Sequence, residues 1–410
     1  MIRVALVNPP AARPVLRDYY CSTRPKAAYF WHPVDLLVLA TRLRGRAELL
    51  VLDAVGERLD AATARQRIEA FGPDAVFGLA STLTTSDDLA FLTSLPGRLV
   101  VGGEVAQDAA FPFDAHPGVD ALAPDFVAPE LADHLVGGPL TGRIRARDHA
   151  PTAPARGETY ALGGPLAHDL LRSRVRLPLW GAGFASLLTD YGCPHTCAFC
   201  NSGAHVLGYR RRDLDEVRSD VAALAAGGTR RVYLRDMTFG WHPEHAEAVF
   251  DALAPHDFAV RAFLRAEQIT PTFADGLARA GFELVQVGIE SGDGDWRRRL
   301  GKPARDETLA RAAALLRERG IALGAHFVVG FAGEPKRAAL GCASLARRLG
   351  AAYCSINVYA PRRGCAPLDA LPPSAARRVQ RSATLAMLGY NGVGFAARAA
   401  RRVLPSRALR

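Results

Sequence analysis

Short apolar runs alternate with amphipathic segments over residues 1–137. The apolar runs predict strands, and they lie at Ile2–Val7, Leu49–Asp53, Ala75–Ala80, Arg98–Gly102 and Val119–Leu122. The segments between them have helical periodicity, as in "DAATARQRIEAFG" at 60–72. Strands separated by helices predict a doubly wound α/β domain built on a parallel sheet, whose ligands bind at the carboxyl ends of the strands.

The same alternation returns over residues 179–365. A strand at Ala185–Asp190 is followed by a cysteine-rich loop and by a helix that Asp213 caps. Thr270 and Pro271 form a second N-cap and first-turn pair. Further strands are predicted at "RVYLRD", "FAVRAFLR", "ELVQVGI", "ALGAHFVV" and "YCSINVY". Six strand–helix units predict an open, partial (β/α)6 barrel, because a closed barrel of this type has about eight.

Two regions lack this pattern. Residues 138–178, which include "GPLTGRIRARDHAPTAPARGETYALGG", are rich in Gly, Pro and Arg and predict a linker. Residues 366–410 predict a Pro-containing turn and a basic helical tail. The chain is therefore expected to have two domains, at 1–137 and 179–365, with a linker between them and a tail after them.

Composition narrows the functional classes. The 410 residues have a formal net charge of +10, yet no nucleic-acid-binding motif accompanies it, so we expect no nucleic-acid partner. The five arginines of "FAARAARRVLPSRALR" are typical of a solvated helix face, and an acidic partner or anionic membrane is the alternative. No apolar run has membrane-spanning length, and "MIRVALVNPP" predicts a strand rather than a signal peptide. Seven cysteines without a secretory signal favour the cytoplasm and metal-binding thiols.

The loop "TDYGCPHTCAFCNSG" carries Cys193, Cys197 and Cys200 with the spacing C-x3-C-x2-C. A structural zinc site needs a fourth ligand, for which His195 and His205 are the local candidates. A zinc knuckle or unligated thiols are therefore alternatives. A [4Fe-4S] cluster held by three thiolates leaves one iron open, as a catalytic metal site requires. The spacing thus favours a cluster that binds a further ligand.

This loop resembles the cluster loop of the radical S-adenosylmethionine (SAM) enzymes. The resemblance implies that the three cysteines bind the cluster and that Phe199 lies against the adenine of SAM. In that family the amino and carboxylate groups of SAM chelate the open iron, and one electron from the cluster cleaves SAM to a 5′-deoxyadenosyl radical. It also implies an external electron donor, such as flavodoxin or ferredoxin.

Other motifs extend the resemblance. "GIESG" resembles the family's fourth-strand motif and implies that Glu290 and Ser291 hold polar parts of SAM. "HFVVGFAGE" resembles the fifth-strand motif, in which Val328 and Gly330 offer backbone groups to the adenine. The alternative for Glu290 is a solvated carboxylate at a strand end. These motifs place the SAM site at the carboxyl ends of the barrel strands.

The remaining candidates in the barrel depart from the family pattern. "YLRDMTFG" stands where relatives often have Gly-Gly-Glu, so Asp236 is the candidate acceptor for the amino group of SAM. Arg265 would meet the SAM carboxylate, or form a surface ion pair. Cys365 follows the glycine of a closing turn and either faces substrate or is a buried structural thiol, as expected for Cys342 and Cys354.

The first domain resembles the cobalamin-binding domain that precedes the barrel in one branch of this family. The resemblance covers "NPP" after the first strand and implies cobalamin contacts from Ser81, Leu83, Gly102 and Gly103. The cobalt-binding histidine motif of some cobalamin proteins is absent, because "DAHPG" at 114–118 has another spacing and lies in another loop. A doubly wound domain without cobalamin is the alternative. Segment 18–37 is expected to line a substrate pocket or to form a packed loop.

The sequence thus predicts a radical SAM enzyme acting on a small molecule. The leading hypothesis is cobalamin-dependent methyl transfer to an unactivated carbon. Alternatives are a cobalamin-independent radical rearrangement, dehydration or other redox-neutral change, and a non-catalytic iron–sulfur redox sensor.

Overall fold

The computed structural model describes residues 1–17, 31–108, 110–152, 159–173, 175–177, 180–200, 208–359 and 368–403. Most of segment 18–37, together with His205 and Cys365, lies outside these ranges. The chain divides into two compact units, which interleave along the sequence. The first contains Met1–Pro194 and Asn201–Arg231, and the second contains His195–Cys200 and Val232–Arg410.

The first unit contains the predicted parallel sheet. Its strands are β1 Arg3–Asn8, β2 Glu48–Asp53, β3 Ala75–Leu79, β4 Arg98–Gly102, β5 Ala121–Leu122 and β6 Arg145–Ala146. The strand order is β2-β1-β3-β4-β5-β6, and only the last pairing is antiparallel. Apolar side chains fill most of the inner strands, which is typical of a sheet covered on both faces. The doubly wound prediction is therefore confirmed.

The helices of the first unit begin where the sequence provides caps or prolines. They are α1 Val34–Leu43, α2 Ala61–Phe71, α3 Thr85–Leu92, α4 Pro129–Leu135 and α5 Leu214–Ala226, with short 3-10 helices at Glu104–Gln107, Phe113–Ala115 and His168–Leu170. The Asp213 carboxylate accepts hydrogen bonds from the backbone of Asp215 and Glu216 and so caps α5 as predicted.

Short strands follow in the rest of this unit. They are β7 Thr159–Tyr160, β8 Arg176–Leu177, β9 Gly181–Ala182, β10 Ala185–Leu187, β11 Asp190–Tyr191 and β12 Arg210–Arg212. The single strand expected at 185–190 is divided, because Asp190 pairs with Arg211 in the small sheet β11-β12-β7. The Glu216 carboxylate accepts from the backbone N–H groups of Leu162 and Gly163, which ties this part of residues 138–178 to α5.

The second unit contains five neighbouring strands of an open sheet. They are β13 Arg231–Leu234, β14 Ala259–Leu264, β15 Phe282–Glu290, β16 Ala322–Val329 and β17 Tyr353–Val358, in that spatial order. The pairs from β14 to β17 are parallel. The linear strand order agrees with the predicted partial barrel.

Helices alternate with these strands. They are α6 Pro243–Leu253, α7 Pro271–Arg279, α8 Gly294–Arg299, α9 Asp306–Glu318, α10 Lys336–Arg348 and α11 Pro373–Val403, with a 3-10 turn at Ala266–Gln268. The Thr270 hydroxyl accepts from the backbone N–H of Phe273 and caps α7 as predicted. No helix in the described ranges is both long and apolar enough to cross a bilayer.

Helix α11 packs against β17, which is the last strand of the sheet. The Asn391 side chain accepts from the backbone N–H of Cys354 at 3.1 Å and donates to the Cys354 carbonyl at 2.9 Å. The Tyr390 hydroxyl donates to the Ala351 carbonyl at 2.7 Å. A side-chain amide thus makes, on this strand, the pair of hydrogen bonds that a neighbouring strand would make.

Candidate functional site

The cysteine loop presents its thiols near the protein surface. Cys193, Cys197 and Cys200 are each partly exposed, whereas Cys342 and Cys354 are buried. The backbone N–H of Cys200 donates to the Cys197 carbonyl at 3.0 Å, so the second and third cysteines lie on one tight turn. Partly exposed thiols on a turn are accessible to a metal ion, whereas buried thiols in apolar surroundings are inert.

The loop does not form a single-ion metal site in the described residues. Over those ranges, no three His, Cys, Asp or Glu side chains come together around a point that could hold one metal ion. A four-iron cluster is a larger object, since each thiolate binds a different iron. The cluster assignment therefore remains a prediction, which the surroundings of Cys197 can test.

Two cationic side chains lie near Cys197. An Arg265 guanidinium N–H donates to the Cys197 sulfur at 3.6 Å, and Lys302 is close enough for its charge to act on the same thiol. Burial, followed by the nearby charges of Arg265 and Lys302, lowers the pKa of His195 to about 4. The imidazole is therefore neutral near pH 7 and adds no charge. Cationic side chains at these positions compensate the negative charge of a thiolate-bound cluster, so the residues present fit an iron–sulfur cluster held at Cys197.

The three residues after α8, Leu300–Lys302, form what we call the junction segment. The Leu300 carbonyl accepts from the backbone N–H of Ala198 at 3.1 Å, and the Gly301 carbonyl lies 3.8 Å from the Cys197 sulfur. Gly301 has a φ of +78°, and a Cβ there would lie 3.2 Å from the Cα of Cys197. Only glycine permits both this backbone conformation and this close approach.

Glu290, the last residue of β15, has an unusual backbone conformation. Its φ is +69°, and the pairing with β16 shifts register between Gly288 and Glu290. One carboxylate oxygen, Oε1, lies 3.0 Å from the Lys302 ammonium. Burial would lower the pKa of Lys302, but the opposing charges of Glu290 and Cys197 outweigh it and raise that pKa, so the lysine stays cationic. A left-handed glutamate at a strand end is typical of a functional site.

Phe199 and Val328, both assigned to the adenine, lie in one apolar cluster. They pack against buried side chains that include Phe331, and the Phe199 and Phe331 ring centroids are 6.2 Å apart. The backbone N–H of Gly330 donates to Glu334 at 2.6 Å. Burial raises the pKa of Glu334. The structure therefore brings the two apolar candidates together, while the N–H of Gly330 is engaged within the chain.

Ser291 and Asp236 are both buried. The Ser291 hydroxyl accepts from the backbone N–H of Asp293 at 3.1 Å, in the turn that begins α8. Two residues after Asp236, Thr238 donates to the Gln268 side-chain oxygen at 3.4 Å, and the same oxygen accepts from the backbone N–H of Arg265 at 2.8 Å. Gln268 thus joins the ends of β13 and β14, and its side-chain nitrogen is buried with no hydrogen-bond partner among the described residues.

The candidates for cobalamin contacts in the first unit make internal contacts. Ser81 is fully buried, and its hydroxyl accepts from the backbone N–H of Leu83 at 3.0 Å. A Cβ on Gly102 would lie 2.2 Å from the Phe77 ring, and one on Gly103 would lie 2.7 Å from the Ala80 carbonyl oxygen. Both glycines are thus required by packing within the sheet, and none of the four positions identifies a corrinoid site by itself.

A buried ion pair occupies the point where this sheet reverses its strand order, between β1 and β3. The Arg17 Nε donates to Asp88 at 2.8 Å, and both side chains are 0% exposed. Arg17 also donates to the Asn8 side chain at 3.0 Å and to the Pro9 carbonyl at 2.8 Å. The buried guanidinium therefore lies at the edge where folds of this type bind ligands, and it lines a small crevice there together with Asn8 and Asp53.

The sequence analysis missed Lys302 and Arg17. The chain has only three lysines, Lys26, Lys302 and Lys336, beside 48 arginines. Lysine is so rare in this chain that each lysine could have been taken as a candidate functional residue. An ammonium is a compact point charge, and arginine does not replace it in a confined site. Arg17 had no comparable signal, since its partner lies 71 residues away.

Two sequence comparisons find similar proteins. A model of the Radical SAM superfamily matches residues 188–343. An uncharacterized methyltransferase of Pyrococcus horikoshii is 22% identical over 387 residues, which cover 89% of this chain and 82% of that protein.

Two solved structures share the fold. The radical SAM methyltransferase TsrM from Kitasatospora setae, with cobalamin and a [4Fe-4S] cluster bound, matches with a TM-score of 0.66 and 21% identity over 87% of this chain and 72% of that one. The cobalamin-dependent SAM radical enzyme OxsB, with aqua-cobalamin and SAM bound, matches with a TM-score of 0.65 and 14% identity over 93% of this chain and 55% of that one. Residues 188–343 therefore form a radical SAM domain, in a chain whose fold resembles two radical SAM enzymes that bind cobalamin.

Proposed function

We propose that this protein is a radical SAM enzyme that methylates an unactivated carbon of a small-molecule substrate. The observation that carries the radical SAM assignment is the surroundings of Cys197. Arg265 donates to its sulfur, and the junction segment contacts the same loop and continues to the partner of Glu290. The cysteine loop and the acidic strand end are thus linked through a few direct contacts.

In this proposal, Cys193, Cys197 and Cys200 would hold the [4Fe-4S] cluster. When bound, the cluster would supply the electron for the reductive cleavage of SAM. A protein such as flavodoxin or ferredoxin would reduce the cluster.

The side chains around the loop bind and orient SAM. Glu290 accepts hydrogen bonds from its polar groups, and Phe199 and Val328 pack against its adenine. Arg265 and Asp236 are the proposed partners of its carboxylate and amino groups. Because Arg265 already contacts Cys197, its cation also compensates the negative charge of the thiolates.

Methyl transfer is supported by the relative named as a methyltransferase, which matches along most of the chain, and by the fold shared with TsrM. TsrM has also been solved with a tryptophan substrate and a SAM analogue, which is consistent with a small-molecule substrate here. A bound cobalamin would supply the methyl group.

A second candidate function is a radical rearrangement, dehydration or other redox-neutral change without cobalamin. The internal contacts of Ser81, Gly102 and Gly103 favour it, since they give these residues a role in the fold that needs no corrinoid.

Three measurements separate these functions. Anaerobically reconstituted protein should hold about four irons and four sulfides per chain, and dithionite with SAM should yield 5′-deoxyadenosine. A protein that holds the cluster but never cleaves SAM would instead be a redox sensor. Cobalamin titration followed by gel filtration tests the methyl carrier. If no corrinoid co-elutes at saturation, methyl transfer by this route is excluded and the second function stands.

A further inference from the structure

The junction segment connects the cysteine loop to Glu290 through consecutive residues. Leu300 and Gly301 contact Ala198 and Cys197, and the next residue, Lys302, pairs with Glu290. The backbone N–H of Lys302 donates to the Arg297 carbonyl at 2.9 Å, so the segment is fixed to the end of α8. A displacement of Lys302 would therefore change contacts at both the cysteine loop and the end of β15.

The two carboxylate oxygens of Glu290 differ in their contacts with Lys302. Oε1 lies 3.0 Å from the ammonium, and Oε2 accepts no hydrogen bond among the described residues. The two side chains are 13% and 9% exposed, so solvent screens the pair weakly. One oxygen is thus held by the protein, while the other is available to a ligand.

The backbone of β15 provides the space for this ammonium. The Lys302 Nζ donates to the Gly288 carbonyl at 3.3 Å, and a Cβ on Gly288 would lie 3.1 Å from Nζ and 2.5 Å from the Glu290 carboxylate. The glycine of "GIESG" therefore leaves room for the ion pair. A compact ammonium suits this space, whereas a guanidinium is larger and planar.

We propose that Lys302 is a positioning residue, which holds the Glu290 carboxylate in place for SAM and keeps it in register with the cluster loop. This inference rests on the proposed function, since it takes Glu290 to be a SAM ligand. Lys302 acts through Glu290 and does not itself contact SAM. Glu290 has a left-handed backbone at the end of β15, so the contact with Lys302 fixes its side chain at a point where the regular strand geometry ends.

The test is SAM binding to the cluster-reconstituted protein, measured by calorimetry together with iron content. Lys302→Met should weaken SAM binding by roughly tenfold or more while the iron content stays at the wild-type level. Lys302→Arg keeps the charge but brings a larger, planar group into the space beside Gly288, so its SAM affinity should also stay below that of the wild type. The matched control is Lys336→Met, which makes the same change at an exposed lysine and should leave SAM affinity unchanged.

A double-mutant cycle with Glu290→Gln tests the positioning role directly. If Lys302 acts through Glu290, Lys302→Met should weaken binding little further once Glu290 has been changed. Independent, multiplying effects would contradict the inference, as would wild-type SAM affinity in Lys302→Met at full iron content. Loss of iron in that variant, with iron retained in Lys336→Met, would place the role of Lys302 in the loop and also overturn it. A wild-type protein that holds no cluster or binds no SAM would refute the proposed function itself.

Discussion

The two compact units use the ends of their parallel strands differently. In the second unit, Arg265 after β14 contacts Cys197, and one carboxylate oxygen of Glu290 at the end of β15 accepts no hydrogen bond from the residues that the structure describes. In the first unit, the side chains beyond β1 and β3 bond to each other, as Arg17 does to Asp88. Strand ends of this type usually bind ligands. The comparison teaches that a motif's position identifies an edge of the sheet, whereas its contacts decide whether that edge can accept a ligand.

The largest effect is expected from Cys197→Ala, which tests the second unit's side of the comparison. Loss of one of three thiolates should abolish the cluster, so iron and sulfide should fall to background after anaerobic reconstitution. Cys342→Ala is the control, because that buried thiol lies on α10 outside the loop and should leave iron content unchanged. Retention of the full cluster in Cys197→Ala would contradict the ligand assignment.

Arg17→Met tests whether the contacts beyond the strand ends of the first unit stabilise the fold. Removal of one partner from a buried ion pair should lower the free energy of unfolding by about 3–5 kcal/mol. In the control Arg46→Met, the pair with Asp133 is 42% and 57% exposed, so the loss should be below about 1 kcal/mol. Urea denaturation followed by circular dichroism measures both. Equal losses would show that the buried pair contributes no more than a surface pair.

Gly103→Ala tests whether this glycine is required by the sheet. Gly103 and Gly45 have nearly the same φ, +77° and +76°, but only Gly103 would place a Cβ against backbone, 2.7 Å from the Ala80 carbonyl. Gly45→Ala should therefore cost about 1–2 kcal/mol for its backbone conformation alone. Gly103→Ala should cost at least about 1 kcal/mol more, from the added clash. Equal losses in urea denaturation would contradict the packing role.

The smallest effect is expected for the difference in affinity between two corrinoids. Because the buried Arg17–Asp88 pair lies at the switch point, cobalamin and cobinamide, which lacks the nucleotide tail, should bind with similar Kd values in an absorbance titration. A preference of roughly tenfold or more for cobalamin would show that the tail is bound and that the first unit's edge opens to a ligand. The comparison between the two units would then fail.

Much of the fold could be predicted from local patterns. Strands of a parallel sheet are buried on both faces, so they are continuous apolar runs, as in β1 and β3. Caps such as Asp213 and Thr270 act over three residues and are visible in the sequence. The cysteine loop was predictable for the same reason, since its spacing is local.

The features that could not be predicted depend on contacts between residues far apart in the sequence. Arg17 meets Asp88 across 71 residues, and no periodicity links them. In the sequence, Gly102 and Gly103 look like a ligand-binding turn at a strand end. In the structure, the position of Gly103 is required by Ala80, because a Cβ on Gly103 would clash with the Ala80 carbonyl after β3. Sequence patterns give the residue type at a strand end, but tertiary packing decides which atoms remain available.

The Asn391 amide on β17 has a consequence for how the protein behaves in concentrated solution. An outermost strand with unsatisfied main-chain groups is a template on which other chains add strands and begin to aggregate. The contacts of α11 with β17 and of Asn391 with Cys354 block that template at the second of its six residues. The long C-terminal helix therefore protects the open side of the sheet against intermolecular strand addition.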